Sequence, residues 1–219
     1  MSLSTSQSEA QLLENYQLAL SNAETNPEIA ATMALFGYDA VKIAEGKAVL
    51  ASTHQAYNFN KQEDQESLES RVNFLTLFNQ VFAIYKLNRR KAKVVFRKDA
   101  VAYSNLLLTG QMPRNYAKRL DLMSLFYERI QANLDIQTQL ARLAITPEEI
   151  VAALAALVEV QAAHNTYQNE IGESQDATKI KNAAFEAIED WMNEFYAVSK
   201  IAMEDHPQLL ESLGVFIRS

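Results

Sequence analysis

The sequence predicts an all-α fold: two tandem helical repeats forming an antiparallel up-down bundle, with four long helices and shorter helices closing its ends. Three observations carry this. Apolar residues recur three and four apart along most of the chain and nowhere alternate convincingly. Only five Gly and four Pro interrupt 219 residues, too few for a many-turned sheet. Sliding the chain by 107, so that residues 10–98 lie on 117–205, gives sixteen identities in 89 positions, where chance gives about six. They include Leu13 with Leu120, Asn26 with Asn133, Ile43 with Ile150 and Phe78 with Phe185. The repeat predicts two units, residues 1–112 and 113–219, packed together as one globular domain. Near the ends the register moves to 104, where Leu108-Thr109-Gly110 resembles Leu213-Gly214.

Each element has a local reason. Ser6 or Ser8 opens the first helix, which runs to about Asn22 with Leu12, Leu13, Tyr16 and Leu20 on one stripe. Pro27 suits the first turn of a short second helix, and Gly37 supplies the left-handed residue that ends it. Asp39 caps a third helix to about residue 62, carrying Ile43, Val49 or Leu50, Thr53, Ala56 and Tyr57 inward. Residues 61–66 are wholly polar and Ser67 can cap a fresh start, so residues 62–67 read either as a turn or as part of a continuous exposed helix. From Ser67 to about Lys98, Val72, Leu75, Phe78, Val81, Phe82 and Tyr85 form the next core stripe. Asp99 caps a short continuation that Gly110 ends.

Pro113 opens the second half. One helix is predicted from Asn115 to about Leu143, with Leu120, Met123, Phe126, Tyr127 and Ile130 inward. Thr146-Pro147-Glu148-Glu149 is a strong start for the next: a cap, a first-turn proline and two acids at the positive end of the dipole. Gly172 favours a turn, and Ser174 begins a last long helix with Ile180, Phe185, Ile188, Trp191 and Phe195 inward. His206-Pro207 breaks it before a final turn.

Composition narrows the function. A net charge of −7 gives no global attraction to nucleic acid or anionic lipid. The absence of Cys removes disulfides, thiolate chemistry and Cys-ligated zinc, and fits a reducing compartment. Residues 1–10 have neither a basic start nor an apolar run, and no window approaches eighteen unbroken apolar residues, so a soluble, cytoplasmic protein is expected.

Few residues offer chemistry. His54, His164 and His206 are preceded three positions earlier by Ala51, Gln161 and Met203, so none forms the Glu-x-x-His pair of a di-iron bundle. Glu63, Asp64, Glu66 and Glu69, with Glu170, Glu173 and Asp176 at matching places, read as solvated corners between helices. Phosphate-loop and nucleophile-elbow motifs are absent. The aromatics, Phe59 among them, are expected near the bundle centre. No cofactor, metal or catalytic residue is expected.

One segment stands out. Lys86, Arg89, Arg90, Lys91, Lys93, Arg97 and Lys98 occupy residues 86–98 without an acid. Removing those seven of the 20 basic residues leaves 13 against 27 acids, a net −14. Lys86, Arg90, Lys93 and Arg97 share a helical face, and with Arg89 they form a candidate partner or anion patch. In the second half Arg97 and Lys98 become Glu204 and Asp205, a charge reversal that suits pairing of like units. One such stripe releases too few counterions to bind duplex DNA against the overall acidity. The expected function is therefore a non-enzymatic scaffold or interaction module using this stripe and the apolar tail Val215-Phe216-Ile217. Its partners would be a second copy of the chain or an acidic protein, with no nucleic acid and no membrane. The alternative is a small-ligand binder with a pocket at the seam of the two repeats.

Overall fold

Asn, Asp, Ser and Thr caps set seven of the eight helix starts among residues 7–215, which a computed structural model describes. Helix α1 (Glu9–Thr25) opens at Ser8, whose hydroxyl accepts the Gln11 amide while the Gln11 side chain accepts the Ser8 amide. Asn26 accepts the amides of Glu28 and Ile29 to start α2 (Pro27–Leu35). Asp39 accepts the Lys42 amide at 3.0 Å and starts α3 (Ala40–Val95), and Asp99 caps α4 (Ala100–Asn105). Asn115 and Asn133 cap α5 (Tyr116–Gln131) and α6 (Leu134–Ala141). Thr146 and Glu149 form a reciprocal box at the head of α7 (Pro147–Ala202), and α8 (Pro207–Ser212) follows His206. All regular structure among the described residues is helical.

Four helix starts in the first half recur 107 residues on: Glu9 and Tyr116, Pro27 and Leu134, Ala40 and Pro147, Ala100 and Pro207. The expected slip to 104 near the ends does not occur, because α4 and α8 keep the same offset. Three other expectations change. The helix drawn from Asn115 to Leu143 is two, broken at Ala132-Asn133, where the Asn133 side chain takes the Ile136 amide and no proline is needed. The polar run at 61–66 and Gly172 both lie inside 56-residue helices. Lys, Gln and Glu are good helix formers, and one exposed interior Gly costs only about 1 kcal/mol. Val72, Ile180 and Phe59, expected inward, are exposed.

The chain packs as two compact units, and each draws on both halves of the sequence. Unit 1 comprises Met1–Asp64 with Glu173–Ser219, and unit 2 is Gln65–Gly172, so the expected boundary at 112/113 falls inside unit 2. In unit 1, α3 and α7 run antiparallel. The Thr53 hydroxyl donates to the Ala184 carbonyl at 3.1 Å, Asn60 to Thr178 Oγ1 at 3.1 Å, and Ser174 to Asp64 at 2.6 Å. Leu13, Leu20, Ile29, Met33, Leu50 and Phe195 fill the core between them and α1 and α2. In unit 2 Phe74 of α3 meets His164 and Tyr167 of α7, and Phe126 and Tyr127 of α5 pack on Tyr85.

Four helices end in the same turn. After α2, Gly37 (φ 85°) donates to Ala34 and Tyr38 to Met33; after α6, Ala144 (φ 54°) donates to Ala141 and Ile145 to Leu140. After α4, Leu107 (φ 55°) and Leu108 donate to Ser104 and Tyr103; after α8, Gly214 (φ 79°) and Val215 donate to Glu211 and Leu210. These paired six-to-one and five-to-two bonds satisfy the last carbonyls through one left-handed residue. A side chain in that region costs about 1–2 kcal/mol, partly offset by the entropy a glycine loses. Gly37 and Ala144 are both exposed, and a Cβ at Gly37 would meet nothing within 4 Å, so backbone strain alone decides substitutions there. Gly37→Ala should therefore destabilise by about 1 kcal/mol, and Ala144→Gly should stabilise by roughly 0.5 kcal/mol. Thermal melts of the two variants should move in opposite directions, and movement in the same direction would contradict this account of the turns.

Candidate functional site

The basic stripe occupies the last three turns of α3 and the turn after it, all within unit 2, but its members do different things. Lys86, Arg90, Arg97 and Lys98 are exposed and Lys93 is half-buried. Arg89, read from the sequence as part of the surface patch, is only 8% exposed. Its Nη2 donates to the carbonyls of Leu107 at 3.2 Å, Leu108 at 3.0 Å and Thr109 at 3.1 Å, with the Gly110 carbonyl at 3.5 Å. A guanidinium at this negative helix end satisfies carbonyls that the turn leaves without amides. Its Nε is buried without a hydrogen-bond partner. Burial raises the Tyr85 hydroxyl's pKa, and the neighbouring Arg89 charge opposes that rise. Lys91 is also engaged, donating to the Ala144 carbonyl at 3.2 Å.

This explains part of the charge asymmetry between the halves. Leu107 and Ala144 are the two left-handed turn residues that are not glycine, and each has its carbonyl held by a stripe cation. The equivalent turns of unit 1 use Gly37 and Gly214. There the residues 107 positions beyond Arg89 and Lys91 are Tyr196 and Val198, neither charged. Where the turn lacks glycine, a cation supports it.

Three of the remaining cations, Lys86, Arg90 and Lys93, gather with Arg89 at a depression of about 440 Å³ also lined by Ala83 and Met112. Phe82 lies beneath two charges, Lys86 Nζ and the Arg119 guanidinium, each 4.9 Å from its ring centroid. The Lys93 ammonium is held below its usual pKa, first by burial and then by repulsion from Arg89. Ion pairs among the described residues belong to Lys42, Lys47, Lys179 and Lys181, all in unit 1. None involves the stripe. Arg97 lies beyond the depression, in the turn after α3.

His164 stacks edge-on against Phe74 with centroids 5.0 Å apart, and His206 stands at the head of α8. Glu63, expected to be solvated, is buried in unit 1 at 7% exposure. In unit 2 Glu66 and Glu170 bring carboxylate oxygens within 4.8 Å of each other. Of the apolar tail, Val215 closes the turn after α8, while Phe216 and Ile217 lie outside the described residues.

One surface escaped the sequence reading. Residues 182–199 of α7 carry Glu186, Glu189, Asp190 and Glu194 and no Lys or Arg, and all four acids are exposed. The signal was a run of one sign, sparser than that of the basic stripe, on the later half of the other long helix. No known protein family matches the sequence, and no curated protein or solved structure is similar to it.

Proposed function

We propose that the chain is a non-enzymatic interaction module whose basic face, formed by Lys86, Arg90 and Lys93 of α3 and Arg97 of the turn after it, docks an acidic protein surface, in the first instance that of a second copy. The observation that supports this most is the opposite sign of charge on the later segments of the two long helices. Residues 86–98 carry seven cations and no acid, and residues 182–199 carry four acids and no cation. Complementary patches of this kind steer association and fix its register. In a two-fold dimer each copy supplies both patches, so the basic–acidic contact forms twice. Helix starts recurring at 107 favour descent of the two halves from one helical unit, with the charge of the later half-helix reversed in one copy. The lack of Cys favours the cytoplasm, and the overall acidity disfavours nucleic acid.

An electrostatic dimer is sensitive to screening, since the Debye length shrinks from about 30 Å at 0.01 M salt to about 3 Å at 1 M. Sedimentation velocity should give a coefficient above that of a 24.6 kDa monomer at low salt, falling to the monomer value at high salt. A monomer at every salt and protein concentration would refute self-association.

A further inference from the structure

We infer that the depression on unit 2 is a binding site for a small polyanion bearing phosphate-type groups, with Lys86, Arg90 and Lys93 as its direct ligands. Its volume of about 440 Å³ lies within the range of small-molecule sites, roughly 300–1,000 Å³. Three cations from two turns of one helix converge on it, Arg89 stands behind them, and the apolar side is made by Ala83 and Met112. The segment that supplies the cations contains no acid, and no ion pair among the described residues involves them. Like charges thus lie together on one stretch of helix, and the Lys93 ammonium is held below its usual pKa first by burial and then by repulsion from Arg89. An anion in the depression offsets that repulsion.

The number and type of cations select the ligand. A single carboxylate matches one fork and leaves two ammonium groups repelling each other. A di- or triphosphate group offers several charges and suits one planar guanidinium with two compact ammonium groups. The wall is rigid before the ligand arrives, because Arg89 is tied to the 107–110 carbonyls and Lys86 rests on Phe82. Arg89 therefore positions the site and does not need to reach the ligand.

The cations are shared with the docking face proposed above, so a bound polyanion would compete with an acidic partner, but its binding does not depend on self-association. Inorganic pyrophosphate is the probe, titrated calorimetrically at constant ionic strength into wild type, Lys86→Gln/Arg90→Gln/Lys93→Gln and Lys200→Gln. Lys200 is an exposed lysine 107 residues beyond Lys93. Wild type and Lys200→Gln should bind one pyrophosphate per chain with equal affinity, and the triple variant at least tenfold more weakly. Lys93→Met alone should weaken binding while keeping the helical circular dichroism of wild type. Absence of saturable binding, or equal affinity in wild type and the folded Lys93→Met and triple variants, overturns the site. A strictly monomeric chain that still binds pyrophosphate at these residues sustains it, even as the self-association reading fails.

Discussion

Gly46→Ala is expected to lower the melting temperature although alanine is the better helix former. Gly46 lies on the buried side of α3 in unit 1, against the indole of Trp191. A Cβ there would stand 2.4, 2.5 and 2.7 Å from three ring atoms, far inside van der Waals contact. The indole cannot swing away cheaply. Phe195 stacks on it with centroids 5.5 Å apart, and Tyr38 meets it edge-on at 5.6 Å. Helix propensity returns about 1 kcal/mol on the exchange, while overpacking of a filled core costs roughly 1–3 kcal/mol and sometimes more. With three ring atoms involved, the upper end applies and the net loss should be about 2 kcal/mol, or roughly 4–8 °C for a chain of this length. Trp191→Leu by itself opens a cavity and also destabilises. Combined with Gly46→Ala it removes the clash, so the double variant should be more stable than the sum of the two losses by at least about 1 kcal/mol. Additive losses would mean that the indole and the glycine are not coupled.

Arg89→Met should be the most damaging change in the basic stripe, at about 3 kcal/mol or roughly 6–12 °C. The methionine fills much of the arginine's space, but the Leu107, Leu108 and Thr109 carbonyls lose a charged donor at 3.0–3.2 Å. Leu107 would also keep its strained left-handed backbone without support. Arg90→Met, one residue on, touches an exposed side chain and should change stability by less than about 0.5 kcal/mol. Chemical denaturation of the two variants separates the roles. Equal, small effects would return Arg89 to the surface patch.

That contrast shows what a sequence of this kind displays and what it hides. Ser8, Asp39 and Thr146 act within three residues of themselves, so their capping roles were visible in local pattern; Asn26 and Asn115 act in the same way but were not read as caps. The all-α class followed from the same local periodicity. Arg89 looks like any member of a charged run because its partners lie 18 to 21 residues away, in a turn whose geometry no pattern announces. The break at Asn133 was legible only by comparison with Asn26, since the proline that marks the first copy is missing from the second. Gly172 misled in the opposite sense: an exposed glycine inside a long helix is a tolerated cost and need not be a turn. The pairing of Met1–Asp64 with Glu173–Ser219 in one unit rests on contacts more than a hundred residues apart, such as Thr53 with Ala184. Of the functional surface, the basic stripe was visible as a run of charge. Its division into structural cations and free ones required the fold.

Charge-swap complementation tests the docking face most directly. One variant carries Lys86→Glu, Arg90→Glu and Lys93→Glu, and the other Glu186→Lys, Glu189→Lys and Asp190→Lys. Each alone presents like charges on both patches and should sediment as a monomer at low salt, whereas an equimolar mixture should form a one-to-one complex that dissolves as salt rises. A mixture that remains monomeric, with both variants folded by circular dichroism, would contradict the account.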